Sequence, residues 1–248
     1  HAGHGEFPRV LFAPGSVEQC FHLTRKAFEF ANRYQSPVFI LTDQFLADSF
    51  RAVEPFELGP PIRACDEEKT GDGSYQRYRL TENGVSPRLA PGKTASLVIA
   101  DSDEHDETGH ITEDLALRKK MVEKRLKKIE DLQKEAVPPE LIGDEDYELL
   151  LVSWGSTRGA AIEAARTMTE KATPTASLHF SQVWPLMPEQ FMPVIERAGQ
   201  AVCLESNALG QFARLIRRET GFEFKRKILR YDGLPITPQY ILRNLEAR

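Results

Sequence analysis

Cysteine is scarce in this chain. Only three cysteines occur among 248 residues, and no two of them form a Cys-x-x-Cys pair. The chain alone therefore supplies no cysteine set for an iron–sulfur cluster or a zinc ribbon. So few and so widely separated thiols are typical of a reducing compartment. We therefore expect a cytoplasmic protein in which Cys20 and Cys203 are free, mostly buried thiols.

Long apolar runs are also absent. The longest, Val38–Leu41 and Leu149–Val152, have the length of a strand, far short of the ~20 residues that cross a membrane. The net charge of −5 gives no reason to expect binding to nucleic acid. Neither a membrane nor a nucleic acid is therefore an expected partner. The chain opens on His1 without a signal peptide and resembles the interior of a domain, so we expect a piece of a longer subunit.

The first 54 residues have the pattern of a β-α-β unit. An apolar strand at Val10–Ala13 precedes a helix that is capped by Ser16 and runs to about Tyr34. Val38–Leu41 then follows as a second strand. Because it is apolar at every position, we expect it to be buried on both faces, as parallel strands are.

Residues 55–145 differ in character. Ten of the 38 residues from 55 to 92 are Gly or Pro, which predicts a surface connector with at most a short edge strand at Tyr75–Leu80. A long amphipathic helix is predicted from Glu113 to about Ala136, where apolar residues recur every seven positions. This stripe is expected to pack on the body of the protein or against a partner subunit, with the charged residues in solvent. Its members are Leu115, Val122, Ile129 and Ala136, with Leu126 and Leu132 alongside.

Residues 146–248 alternate strands with helices four times. The strands are predicted at Leu149–Val152, Thr175–Phe180, Ala201–Glu205 and Lys227–Tyr231, each followed by a helix. The helices are predicted at Gly155–Glu170, Pro188–Arg197, Ala208–Thr220 and Pro238–Leu245. Four such repeats predict a doubly wound α/β domain with a parallel sheet, which begins near residue 145.

The stretch Asp101–Asp114 is the densest polar cluster of the chain. It contains seven acids and two histidines, His105 and His110, and neither lysine nor arginine. Three interpretations remain open: a loop ordered by acid-to-backbone hydrogen bonds that caps the next helix through Thr112 or Asp114, an active-site rim or subunit contact, and a divalent-metal site. The EF-hand spacing is absent, so we predict no metal ligands here.

Two further motifs are weak by themselves. Gly155–Gly159 follows a strand and opens a helix, which allows either a tight turn or an anion site made of backbone N–H groups. Arg88, in a polar turn with Asn83, has a guanidinium that can bind a carboxylate bidentately. No arrangement of Ser, His and Asp or of Cys and His suggests that the chain catalyses a reaction alone.

Several ordered motifs resemble the alpha subunits of 2-oxoacid:ferredoxin oxidoreductases, most closely the 2-oxoglutarate members. They span nearly the whole chain and lie at Gly3–Arg9, Thr81–Arg88, Asp101–Glu107, Gly109–Asp114, Trp154–Thr157, His179–Pro185, Glu205–Arg214 and Tyr231–Gly233. The resemblance implies an α/β fold in which residues 1–54 end a thiamine-diphosphate pyrimidine-type domain. Residues 55–145 are then a connector, and 146–248 a transketolase-C-terminal-like domain.

The resemblance also implies an activity that needs a partner. Such enzymes oxidatively decarboxylate a 2-oxoacid, pass the acyl group to coenzyme A and reduce ferredoxin. Thiamine diphosphate and Mg²⁺ are expected at the interface with the beta subunit, and the iron–sulfur cluster on that beta subunit. The glutamate that activates the cofactor and the Tyr-Pro-Ile-Thr-Pro motif are expected upstream of Gly3. Pyruvate or branched-chain 2-oxoacids remain alternative substrates, and a non-catalytic binding or assembly module remains an alternative function.

No catalytic residue is assigned within this chain. Candidates for an active-site rim or an interface are the polar residues of the matched motifs. They are His4, Glu6, Arg9, Asn83, Arg88, His105 and His110.

Overall fold

A computed structural model describes residues 3, 5–62, 75–93, 95–101 and 103–247. The chain divides into two compact units. The first unit comprises His1–Arg9, Arg25–Val38 and Phe56–Lys134, and the second comprises Val10–Thr24, Phe39–Pro55 and Glu135–Arg248. The two boundaries that divide the sequence into three predicted domains remain a prediction.

A five-stranded sheet forms the centre of the second unit. Its spatial order is β3-β5-β4-β7-β8, and the last four of these strands run parallel. The predicted parallel sheet is thereby confirmed, while β3, which is antiparallel to β5, was not predicted. The strands are β3 (Glu140–Gly143), β4 (Leu149–Trp154), β5 (Thr175–Phe180), β7 (Gln200–Glu205) and β8 (Arg226–Leu229).

Helices cover both faces of this sheet. Leu150 and Val152 of β4 belong to one apolar cluster, and Leu149 and Leu151 belong to another, as the alternation of side chains along a strand requires. The first cluster includes residues of α5 and α6, and the second includes residues of α4 and α7. These helices are α4 (Arg158–Glu170), α5 (Met192–Arg197), α6 (Gln211–Thr220) and α7 (Pro238–Glu246).

The helix predicted over Pro188–Arg197 is interrupted. A 3-10 turn at Pro188–Gln190 is separated from α5 by Phe191. Phe191 is buried against Phe180 with its ring centroid 5.2 Å away, so side-chain packing fixes the interruption.

A second sheet has three strands, in the order β2-β1-β6. They are β1 (Val10–Phe12), β2 (Val38–Ile40) and β6 (Gln182–Trp184), and β6 is antiparallel to β1. The prediction that the strand at 38–41 is buried on both faces is wrong, because Phe39, Ile40 and Leu41 are exposed at the sheet edge. Apolar composition alone does not distinguish a central strand from an edge strand. A short helix, α2 (Gln44–Ala47), follows β2.

Two long helices complete the described chain. α1 (Val17–Tyr34) starts where predicted, and the Ser16 hydroxyl accepts a hydrogen bond from Gln19 N at 3.2 Å. Cys203 is buried and Cys20 is mostly buried, and both are free thiols, as expected. Within the described part of the chain, no helix has the length and apolarity to cross a membrane. Tyr75–Leu80 forms turns rather than the predicted edge strand.

The helix predicted near 113–136 is α3 (Leu115–Lys134), but the predicted stripe coincides only in part with its buried face. Leu115 is exposed, and the buried residues of the helix are Met121, Lys124, Lys128 and Leu132. Two lysines that the sequence placed in solvent therefore lie inside the first unit. The stripe was wrong at Leu115, whereas Leu132 beside it and Ala136 after the helix are buried as predicted.

Candidate functional site

Residues 103–114 of the acidic loop Asp101–Asp114 form an ordered reverse turn in the first unit. Asp106 closes it: one carboxylate oxygen accepts hydrogen bonds from the amides of Thr108, Gly109 and His110 at 2.9–3.1 Å. These bonds, with the Thr108 hydroxyl at 2.6 Å, hold the pKa of Asp106 below its ordinary value. His105 and Ile111 pair as an antiparallel bridge across the turn.

The loop also caps the helix that follows it. Asp114 Oδ1 accepts from Ala116 N at 2.8 Å and from Leu117 N at 3.1 Å, at the start of α3. The interpretation of an ordered, helix-capping loop is thereby confirmed. Among the described residues, no group of three or more His, Cys, Asp or Glu side chains is arranged to hold a metal ion.

Glu104 fastens the loop to α3. Its buried carboxylate accepts two hydrogen bonds from Arg125, at 3.0 and 2.8 Å, and Arg118 lies 3.5 Å away. Burial raises the pKa of Glu104, but the hydrogen bonds and charge of Arg125 outweigh it and leave that pKa lowered. A bidentate pair between a buried carboxylate and a guanidinium fixes both position and orientation.

His105 packs beside this ion pair. Its ring stacks on Tyr78 with centroids 3.6 Å apart and the planes inclined by 19°. Burial lowers the pKa of His105, so the imidazole is favoured in its neutral form. Its Nδ1 is buried and has no hydrogen-bond partner in the described structure. His110, in contrast, is exposed and lies 2.8 Å from the Thr108 hydroxyl.

The turn Thr81–Arg88 lies against the same helix. Gly84 has φ +75°, and a Cβ placed on it would lie 2.3 Å from the backbone oxygen of Lys124. Only glycine fits this contact. Asn83 accepts from Val85 N at 3.0 Å, so its side chain shapes the turn from within. Asn83 and Arg88 are both exposed.

Two buried lysines bond the turn to its surroundings. Lys124 Nζ donates to the carbonyl oxygen of Tyr78 at 2.7 Å and to the Ser86 hydroxyl, and Lys128 Nζ donates to the carbonyl oxygen of Gln35 at 3.3 Å. Gln35 in turn donates to the carbonyl of Ser86 at 2.6 Å. Burial lowers the pKa of both lysines to about 8, assisted at Lys124 by the positive charge of Lys128.

Sequence reasoning missed these lysines. The one indication of their burial in the sequence is their spacing. Lys124 and Lys128 lie on the same side of the helix as Met121 and Leu132, three or four residues apart. Four of the candidates predicted from the sequence lie on two segments that are anchored to α3. His105 and His110 belong to the acidic loop, and Asn83 and Arg88 belong to the turn Thr81–Arg88. Glu6 and Arg9 lie on the N-terminal segment, where the Arg9 guanidinium carbon sits 4.1 Å from the Phe7 ring centroid. His4 lies outside the described residues.

The Gly155–Gly159 turn in the second unit has carboxylates where an anion would need donors. Arg158 forms hydrogen bonds to Glu140 at 2.8–3.1 Å, and the Ser156 hydroxyl donates to Asp43. A carboxylate beside the turn repels an incoming anion. These contacts argue for the tight-turn interpretation and against the anion site.

Neither buried glutamate among the described residues is free to activate a cofactor. Only two of the described glutamates are buried, Glu104 and Glu205. Glu104 is bound by Arg125, and Glu205 accepts hydrogen bonds from the first amides of α6, at Phe212 (2.8 Å) and Ala213 (2.9 Å). Both carboxylates are fully engaged within the chain, so neither of these two glutamates is free to activate thiamine diphosphate or to bind its magnesium.

The chain matches known proteins along its whole length. A family model described as "Pyruvate flavodoxin/ferredoxin oxidoreductase, thiamine diP-bdg" matches residues 3–124. Subunit alpha of 2-oxoacid:ferredoxin oxidoreductase 1 from Aeropyrum pernix is 36% identical over 245 residues, which cover 95% of this chain and 38% of that protein. The 2-oxoglutarate oxidoreductase subunit KorA of Mycobacterium tuberculosis is 30% identical over 223 residues, covering 86% of this chain and 33% of that subunit.

The fold also matches a solved enzyme. A 2-oxoglutarate:ferredoxin oxidoreductase from Magnetococcus marinus, with 2-oxoglutarate, coenzyme A and succinyl-CoA bound, superposes with a TM-score of 0.87 and 29% identity. The match covers 98% of this chain and 43% of that one. The chain belongs to the alpha-subunit family of 2-oxoacid:ferredoxin oxidoreductases, as its motifs suggested, and it spans about two fifths of the length of these relatives.

Removing the partner of Glu104 is expected to destabilise the first unit. Arg125→Met leaves a buried carboxylate without its bidentate partner, which costs on the order of 3 kcal/mol in the free energy of unfolding. Arg118→Met is the matched control, since Arg118 is largely exposed and its loss costs about 0.5 kcal/mol. Denaturant unfolding of both variants measures the difference. Equal losses would contradict the account.

The buried lysines predict a rise in stability at alkaline pH. Their folded pKa of about 8 lies below the ordinary 10.5, so between these values the unfolded chain binds more protons. The free energy of unfolding then rises with pH, by at most about 1.4 kcal/mol per pH unit for each lysine.

Lys124→Met is expected to make this rise shallower. The exposed Lys127→Met on the same helix serves as its control and keeps the wild-type slope. Denaturant unfolding at several values from pH 7.5 to 10 measures the slopes. Parallel curves for wild type and Lys124→Met would show that Lys124 has an ordinary pKa.

Proposed function

We propose that this chain is part of the alpha subunit of a 2-oxoglutarate:ferredoxin oxidoreductase. The enzyme decarboxylates the 2-oxoacid, transfers the acyl group to coenzyme A and passes two electrons to ferredoxin. The chain works only with a beta subunit, in the cytoplasm. Thiamine diphosphate, when bound with Mg²⁺ at the subunit interface, supplies the carbanion chemistry, and an iron–sulfur cluster of the beta subunit carries the electrons.

The observation that supports the proposal most strongly is the agreement over the whole chain with the Magnetococcus enzyme, whose structure contains 2-oxoglutarate and coenzyme A. Identity to KorA of Mycobacterium tuberculosis points to the same substrate. The Aeropyrum relative is more similar in sequence and has only the general 2-oxoacid name. The substrate class is therefore better supported than the choice of 2-oxoglutarate.

A dicarboxylate substrate needs a cation for its second carboxylate, and Arg88 is suited to that role. The Tyr75 hydroxyl donates to the carbonyl oxygen of Pro87 at 3.2 Å and accepts from Leu89 N at 3.1 Å. These two bonds fix the backbone on either side of Arg88, and Arg88 itself is exposed. The guanidinium of an arginine on such a fixed backbone segment can bind a carboxylate bidentately. Arg9 is the second candidate for this role.

The activity is tested with the full-length subunit co-expressed with its beta subunit. The assay measures viologen reduction with thiamine diphosphate and coenzyme A, and compares 2-oxoglutarate, pyruvate and a branched-chain 2-oxoacid. We expect reduction that requires both subunits and prefers 2-oxoglutarate. A preference for another 2-oxoacid would correct the substrate. No reduction by a complex with intact clusters would overturn the enzymatic assignment.

Substitution of the two arginines tests how a dicarboxylate is recognised. Arg88→Lys keeps the charge and loses the planar fork, so kcat/KM for 2-oxoglutarate relative to pyruvate is expected to fall about tenfold. Arg9→Lys is compared in the same assay, and Arg166→Lys, at an exposed position of α4, is the control. If only Arg9→Lys lowers the ratio, the role belongs to Arg9. If neither does, recognition lies elsewhere in the enzyme.

A further inference from the structure

A cleft opens in the second unit where β7 and β8 end. One wall is formed by α2 and its two flanking aspartates, and the other by the loop after β8, which carries the motif Tyr231–Gly233. The volume of the cleft is about 630 Å³. Carboxyl ends of parallel strands are the common position for binding sites in doubly wound sheets. None of the contacts described above uses this cleft for the reaction.

Large apolar side chains stand exposed around the cleft. Phe45 on the α2 side is 51% exposed, and Tyr231 and Leu234 on the opposite side are 72% and 60% exposed. Exposed apolar side chains that line one cleft mark interaction sites, and aromatic residues are enriched at the centres of protein interfaces.

The charge of the cleft is acidic. Asp43 and Asp48 line it, and the one cation among the lining residues is Arg230. Arg230 is already engaged: it donates to Asp232 at 2.9 Å and to the carbonyl oxygen of Pro235 at 2.6 Å, and its guanidinium carbon lies 4.6 Å from the Tyr240 ring centroid. The electrostatic field inside the cleft therefore favours a basic binding partner over an acidic one.

Both walls are held in place before anything binds. Asp43 caps α2 by accepting from Leu46 N at 2.9 Å, and Leu46 itself is buried. On the other wall, Asp232 accepts from Leu234 N at 3.1 Å, and the Tyr240 hydroxyl donates to the carbonyl oxygen of Leu229 at 2.9 Å. A surface that is ordered in advance loses little entropy on binding.

We propose that this cleft is a docking surface for the beta subunit, and that it receives a segment carrying a lysine or arginine between apolar side chains. The apolar partners would cover Phe45, Tyr231 and Leu234, and the cation would meet Asp48. The inference shares one premise with the proposed function, which is that this chain works with a beta subunit. A polar small ligand fits the cleft less well, because its arginine is bonded within the chain and its exposed walls are apolar.

The test uses the full-length alpha subunit and separately purified beta subunit. Binding is measured by calorimetry for wild type, Leu234→Lys, Tyr231→Lys and Asp48→Lys. We expect each cleft variant to weaken binding at least about tenfold, because each places a positive charge against the apolar or basic side chains of the partner segment. Leu209→Lys is the matched control: it lies in the same unit, is 56% exposed and lines a different pocket. It should bind as wild type does.

The possible outcomes separate the two proposals. Unchanged binding by all three cleft variants overturns the docking surface, even if the wild-type complex turns over 2-oxoacids. Weakened binding by the cleft variants alone supports it, even if that complex shows no turnover. A wild type that does not bind overturns it as well. If the cleft variants lower the melting temperature of the alpha subunit alone, the cleft is covered by its own chain, and the proposal is wrong.

Discussion

The buried Lys124 and the partly buried Arg125 on α3 organise the described part of the first unit. Charge is costly to bury unless it meets partners, and each side chain meets them on a different loop. Arg125 binds Glu104 of the acidic loop, while Lys124 binds the carbonyl of Tyr78 and the hydroxyl of Ser86 beside the turn. One helix thereby holds two segments that have little regular secondary structure. Both segments carry motifs that resemble the oxidoreductase family, so the same contacts fix the residues proposed for the active-site rim.

The second unit depends on a different kind of constraint. Its sheet is buried on both faces by four helices, and the polar groups at strand ends are used for caps: Glu205, at the end of β7, accepts the first free amides of α6. Regular packing of this kind produces a pattern of apolar residues that can be recognised in the sequence. Alternating strands and helices from Leu149 onward were predicted within a few residues, because apolar strands and periodic helices have strong local patterns. The ordering of the acidic loop was likewise predictable, since Asp106, Thr112 and Asp114 are residues that bond to nearby backbone.

Other features depended on contacts between distant segments, which no local pattern records. The strand at Val38–Ile40 has the composition of a buried strand and lies at an exposed edge. The stripe on α3 was assigned to Leu115, Val122, Ile129 and Ala136, whereas the helix buries Lys124 and Lys128. Lysine is rarely buried, so sequence statistics assign these two positions to solvent. The domain boundaries and the rim residues Glu6, Arg9, Asn83, Arg88, His105 and His110 stay predictions.

The most direct test of this account is hydrogen exchange of the two segments that α3 holds. Amide exchange would be followed in wild type, Lys124→Met and Arg125→Met at pH 7. Because Lys124 bonds to the turn and Arg125 to the acidic loop, we expect Lys124→Met to speed exchange mainly at Val85 and Leu89. Arg125→Met should act mainly on Thr108, Gly109 and His110. Acceleration that is equal in both segments for both variants, or absent from both, would contradict the claim that adjacent residues of one helix order the two segments separately.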